Sequence, residues 1–322
     1  MEVVVKRLFL FFLFFLVFVA TGCAKFSGPY YLNNHKYKEG IKAFSEKLQE
    51  SPQDADSAYY VGRYYMALKK PKEARPYFSK AVSIESDNVD YLFWSGVNYW
   101  ALKQYSKERA AYRDVLKLDP DHISANLYLA HSYLEEGKLI EALILYDKVI
   151  KLDKYNPEAL YNRADILGRQ GKKDEAVKAW KKFLEYYPDG TLAMSGTEKL
   201  NLLGDFTYRN FIFGTRNITL RSIKYKPGKV DSDLESKSSL HVIAAMMEEN
   251  KKLCFHIVAY VNGNEDLAKT RAKNVRDYIL SGHPDFDPAR MPLSWFGAAE
   301  EVERSGRTFK LDESIQFITV VN

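Results

Sequence analysis

The chain has 322 residues, of which 46% are hydrophobic and 28% charged, a globular balance that excludes wholesale disorder and leaves room for a repeat array plus a domain. Its net charge of +5 is evenly spread: residues 55–190 carry 22 basic and 20 acidic side chains and residues 218–322 carry 15 of each, so the basic block of a nucleic-acid binder is missing. Two cysteines, Cys23 and Cys254, are too few for a disulfide framework or a cysteine-based zinc site.

The N-terminus places Lys6 and Arg7 ahead of an unbroken apolar run from Leu8 to Ala20, followed by Thr21-Gly22-Cys23. That run is shorter than the roughly 20 residues a membrane-spanning helix needs and has the layout of a secretory signal. The small residues directly before Cys23 resemble the bacterial lipobox, with Ala20 where that motif usually has Leu. The resemblance implies removal of residues 1–22 and acylation of Cys23, and an uncleaved anchor is the alternative. Ala24, in place of Asp after the cysteine, resembles the enteric sorting signal for the outer membrane. The expected location is the cell envelope, lipid-anchored in the outer membrane and facing the periplasm.

The middle of the chain repeats every 34 residues, with Gly62, Gly96, Ala130 and Ala164 at the centres of helical apolar patterns. Units 55–88, 89–122, 123–156 and 157–190 share a second bulky position (Tyr65, Tyr99, Tyr133, Leu167) and a small position in the second helix (Ala74, Glu108, Ala142, Ala176). An aromatic follows four residues later (Phe78, Tyr112, Tyr146, Trp180), and the units close on Ser86, Pro120, Lys154 and Pro188. This resembles the tetratricopeptide repeat (TPR), in which small residues let two helices approach and rings fill the gap between them. Residues 36–52 fit the second half of a further unit through Gly40, Phe44 and Pro52, and 190–205 has helical spacing at Leu192, Leu200 and Leu203. These two segments are expected to cap the array.

Positions 5, 9 and 12 of each unit lie on one helix face, which in TPR proteins lines the concave groove. Carried over, that face displays Tyr59, Arg63, Phe93, Trp100, His131, Tyr161 and Asp165. An aromatic lining with mixed charge suits a peptide or partner helix; the bland reading is that these rings pack against neighbouring helices. His131 is a packing histidine on this reading, with no second ligand at metal spacing.

After Gly204 the pattern becomes aromatic and β-branched (206–225). Ser232-Asp-Leu-Glu235 reads as a capping box opening a helix to about Asn250, with Leu240, Ile243, Ala244 and Met247 on its buried face. Residues 253–262 form a central strand, apolar on both alternations. A second helix runs from Asp266 to Ser281 on a stripe of Ala268, Ala272, Val275 and Ile279, and strands at 291–297 and 314–321 complete the layer. The order, with TRAKNVRDYIL (270–280) after a strand and turn, resembles the OmpA-like domain of peptidoglycan-associated proteins. In that family an Asp in the turn and an Arg on the helix clasp the diaminopimelate of the stem peptide. The resemblance carries Arg271 over in register and finds Asn262 near the Asp position; the shortened turn brings Glu265 and Asp266 close enough to substitute. The late Asn-Arg-Arg element of the family is absent, the last strand opening with Leu311-Asp312-Glu313-Ser314.

Cys254 reads as a buried small hydrophobe with His256 on the same strand face, and Glu248-Glu249 and Glu300-Glu301 as solvated helix ends. No phosphate loop, nucleophile elbow or His/Cys cluster occurs, so neither an enzyme nor a cofactor is expected. The expected architecture is multidomain, an all-α TPR solenoid followed by an α+β OmpA-like domain with a mixed sheet. Its expected parts are a signal peptide at 1–22, a linker at 23–35 after lipidated Cys23, an array at 36–205, a linker at 206–217 and the OmpA-like domain at 218–322. The expected function is a membrane-anchored periplasmic adaptor that holds an envelope protein or peptide in its groove. The alternative is a tether to peptidoglycan through Asn262 and Arg271.

Overall fold

A computed structural model describes residues 24–214, 216–233 and 235–320. The signal segment and Cys23 lie outside the described residues. The chain forms two compact units, one ending at Leu152 and the other beginning at Asp153.

The first unit is a run of helix pairs: α1 Ala24–Asn33 with α2 Tyr37–Glu50, α3 Ala55–Ala67 with α4 Pro71–Ile84, α5 Val89–Ala101 with α6 Tyr105–Leu118, and α7 Ile123–Glu135 with α8 Leu139–Leu152. In α3/α4 and α5/α6 the pair closes because one helix lacks a side chain where the other carries a ring. A Cβ on Gly62 would lie 2.9 Å from the Phe78 ring, and one on Gly96 would lie 2.4 Å from Tyr112, well inside van der Waals contact.

Two further features recur with the same period. Asp54, Asn88 and His122 cap α3, α5 and α7, each side chain accepting a backbone N–H from the first turn. His35, Lys69, Lys103 and Gly137 each end a first helix with φ between 56° and 78°, the left-handed conformation in which the next amide reaches back to the helix (Lys70 N–H to Tyr65 O and Gln104 N–H to Tyr99 O).

Of the expected linker at 23–35, residues 24–33 are instead helical as α1. Tyr31 and Leu32 pack on the core that holds Phe44 and Tyr64, and the Tyr64 hydroxyl donates to Gly28 O at 3.1 Å. The array therefore opens with a helix pair and not with a half-repeat.

Glu108, at the position of Ala74 and Ala142, is 2% exposed. The Ser132 hydroxyl donates to its carboxylate, and Arg109 bonds both Ser132 and Glu136. Burial pushes the Glu108 carboxyl up to about 7, with the Glu135 charge adding to the effect and Arg109 opposing it.

The second unit continues the repeat frame with α9 Pro157–Arg169 and α10 Lys173–Tyr186, capped by α11 Thr191–Leu202. Gly196 of α11 lies against buried Trp180, where a Cβ would stand 3.1 Å from the ring. Ala193, Thr197 and Leu200 are buried with it, whereas Leu192, expected on the same face, is 47% exposed. Asn201 then donates to Asp205 O and Tyr208 O, tying α11 to an antiparallel hairpin of β1 Tyr208–Phe213 and β2 Arg216–Arg221 in register Tyr208↔Arg221. The expected linker at 206–217 is thus β1 and the approach to β2, with Phe211 and Phe213 in the core.

Next come α12 Lys237–Glu249, β3 Cys254–Val261, α13 Glu265–Gly282, a 3-10 turn Pro288–Arg290, β4 Leu293–Phe296, β5 Glu300–Arg304, β6 Arg307–Leu311 and β7 Glu313–Val320. The order β4-β3-β7 makes a mixed sheet, with β3 central, parallel to β4 and antiparallel to β7. The stripes of α12 and α13 expected from the sequence are buried in its core beside Phe255 and Phe317. The capping box is not formed. The helix starts at Lys237, Ser236 N–H and hydroxyl both bond Asp233, Ser232 bridges to Tyr225 and Glu235 binds Arg221.

Glu300 is a larger correction. It lies on β5, a strand paired with β6, and is 4% exposed. Arg209 donates to both of its oxygens at 2.8 Å, with Ser314 and Gln316 of β7 donating as well. Burial alone would raise this carboxyl; the bonds and charge of Arg209, with Ser314 and Gln316, hold it below the ordinary value.

Two outcomes test the packing. A lysine in the left-handed conformation costs about 1 kcal/mol relative to glycine, so Lys103→Gly is expected to stabilise the chain by that order and Gly137→Lys to destabilise it, both read by urea unfolding. For Glu108 the folded pKa lies above the ordinary 4.5, so the folded state holds the proton longer than the unfolded chain. Its contribution is fully present below about 4.5 and is lost as pH rises through about 7. Calorimetry should show the midpoint falling between about pH 5 and 8; Glu108→Ala should flatten that slope and raise the midpoint at the upper end.

Candidate functional site

Within residues 24–152 the expected groove positions divide by burial. Tyr59 and Phe93 are 6% and 8% exposed. Tyr59 packs among the rings of Tyr60, Phe78 and Tyr91, and burial pushes its hydroxyl up to about 12. Phe93 lies among Tyr112, His122 and Tyr128. These two rings hold helices together and are not open lining, because the neighbouring first helix covers position 5. His131 is half-buried between Tyr128 and Tyr146, as a packing histidine.

Position 9 is more accessible. Arg63 donates to the Tyr59 hydroxyl at 2.6 Å and lays its guanidinium 3.6 Å from the centre of Trp94, a cation–π stack. Trp100, at position 12, is 53% exposed. Missed from the sequence is the aromatic at position 6 of successive units, Tyr60, Trp94 and Tyr128; the 34-residue period that revealed the glycines could have found it. Tyr128 is 39% exposed.

In the second unit the cap occupies the expected groove positions. The Tyr161 hydroxyl bonds Ser195 Oγ of α11 at 2.9 Å, and its ring meets Trp180 edge-on. Asp165 is buried and paired with Lys199 of α11 and Arg169. Both side chains are thus engaged by α11.

The residues expected to hold peptidoglycan are also engaged within the chain. Arg271 is 1% exposed. It donates from Nε to Lys229 O at 3.0 Å and from Nη1 to Glu313 at 2.9 Å, and its guanidinium lies 4.1 Å from the centre of the Tyr225 ring. Asn262 bonds Asp312 through its N–H at 2.7 Å and its side-chain amide at 3.0 Å. Two consecutive residues, Asp312 and Glu313, thus take both groups. Cys254 is half-buried, not buried, and its thiol is free; His256 bonds Ser294 Oγ at 2.9 Å. Among the described residues no group of His, Cys, Asp and Glu could hold a metal ion, and no helix is long and apolar enough to cross a membrane.

Family models of the tetratricopeptide repeat match residues 27–89, 89–122, 130–171 and 158–190. Among solved structures, the chain is similar to a tetratricopeptide repeat protein from Parabacteroides merdae, at 16% identity and a TM-score of 0.50 over 56% of this chain and 72% of that one. It is also similar to YrrB, described as a TPR protein with an unusual peptide-binding site, at 20% identity and a TM-score of 0.48 over 53% and 88%. MamA matches at 21% identity and a TM-score of 0.47, over 50% of this chain and 94% of its own. No curated protein matches the chain. At such identities likeness speaks to fold and not to function. Residues 27–190 carry tetratricopeptide repeats, and a strand-containing region follows them.

Proposed function

We propose that this chain is a protein-interaction adaptor of the cell envelope, anchored in the outer membrane through acylated Cys23 and facing the periplasm, with its TPR array as the gripping surface. The observation that carries the gripping role is Trp100: a tryptophan 53% exposed on the first helix of a repeat, more open than Tyr105 or Tyr128. Arg63 stacked on Trp94 offers a cation and an aromatic plane on the same kind of face, a combination enriched where interfaces concentrate their energy. The anchoring part rests on the sequence of residues 1–23. This reading involves no catalytic step and no cofactor. The peptidoglycan alternative gains nothing from the geometry, since Arg271 is buried and its charge is answered by Glu313.

Trp100→Ala tests the grip. Recovery of the bound envelope partner should fall about tenfold or more with helicity and melting unchanged; a large loss of thermal stability with no change in partner recovery would show a packing role. Cys23→Ser tests the anchor by mass spectrometry of the mature N-terminus, where diacylglycerol is expected on the wild type and none on the variant. Residues 1–22 still attached to the wild type would remove the lipoprotein reading.

A further inference from the structure

An open cleft of about 720 Å³ lies between α10 and the β1–β2 hairpin, inside the unit that begins at Asp153. Its helical wall is one face of α10, where Asp174, Lys178, Lys181, Lys182 and Glu185 recur at helical spacing. Arg221 of β2 reaches in from the other side over Tyr208. Four cations thus face two acids. Some of this charge is already answered, since Lys181 pairs with Asp205 at 3.4 Å and Arg221 with Glu235. Lys178 and Lys182 are exposed and lie in the middle of the wall.

We propose that this cleft binds an extended acidic peptide segment of a partner protein, with carboxylates at alternate positions. The spacing supports it. Lys178 and Lys182 are one helical turn apart, about 6 Å along the axis, and alternate side chains of an extended chain are spaced about 6.6 Å. The wall also has ends: Asp174 and Glu185 stand about 16 Å apart along α10, which limits the acidic stretch to about five extended residues. A long uniform polyanion would run its charge past both acids, whereas a short acidic block ends before them. Tyr186, Val177 and Tyr208 supply apolar surface beside the cations, as a peptide side chain needs and a bare anion does not. Lys224, bonded to Thr207 at the cleft edge, is held below its ordinary value by burial and by the Lys181 charge, a repulsion that an incoming carboxylate would relieve. The cleft is lined by residues of the second unit and does not include Trp100.

The test is fluorescence anisotropy of a labelled Tyr-Glu-Leu-Glu-Leu-Glu-Gly peptide with the full chain in detergent, at low and raised salt. Binding is expected to weaken with salt and to fall about tenfold or more when Gln replaces each Glu of the peptide. The double variant K178E/K182E, altered at exposed positions, should lose a similar factor and regain binding to a peptide with Lys in place of Glu. Trp100→Ala should bind the acidic peptide as the wild type does. Equal affinity for the Glu and Gln peptides, indifference to K178E/K182E, or tighter binding of inorganic polyphosphate than of the peptide would each overturn the proposal.

Discussion

The closeness of two helices in a pair is the constraint on which the repeats depend. Gly62 and Gly96 leave the space that Phe78 and Tyr112 fill, so neither partner can change alone without a void or a clash. The caps and left-handed turns at the same 34-residue spacing follow from that closeness, because a pair packed so tightly admits only a short, defined connection. Since the interlock uses the facing sides of the helices, the outward sides are free to vary. Trp100 and the α10 lysines both lie on such sides.

Glu108 shows how far the interlock tolerates departure. A carboxyl occupies a place built for a methyl group, where burial raises its pKa to about 7 and the Ser132 hydroxyl bonds it. A buried acid with raised pKa marks a functional site in many proteins. Here its neighbours are the helices of its own and the next repeat, and the effect is on stability.

The α/β part is organised by two buried arginines, one paired with a buried glutamate and one with an exposed glutamate. Arg209 and Glu300, 91 residues apart, tie the hairpin at the cap to β5, and Ser314 and Gln316 bring β7 into the same network. Arg271 and Glu313 join α13 to the start of β7. Removing either partner of the Arg209–Glu300 pair would strand a charge away from water, a penalty of about 3–5 kcal/mol, whereas Glu313 is exposed and only its loss would leave the buried Arg271 unanswered. The guanidinium of Arg271, paired with Glu313 and stacked on Tyr225, cross-links α13 to the start of β7.

The repeats, their register, the helix stripes and the three strands of the mixed sheet were legible in the sequence because each rests on contacts between near neighbours or on a period repeated along the chain. Helical and strand alternation report burial directly, so Leu240 to Met247 and Ala268 to Ile279 could be assigned without a fold. What depended on distant partners was not legible. Residues 24–33 carry weak local signals and become a helix against the core of Phe44 and Tyr64, 206–217 pairs and buries against α11 and the sheet, and Glu300 has the composition of a solvated end until Arg209 meets it. Likewise Arg271 resembles a ligand-binding arginine until Glu313, 42 residues on, takes its charge. The sequence by itself determined that the chain stacks helix pairs, since that packing is local and repeated; only the tertiary structure decided which rings and charges remain open to a partner, since a charge or ring is open only when no distant part of the chain has claimed it.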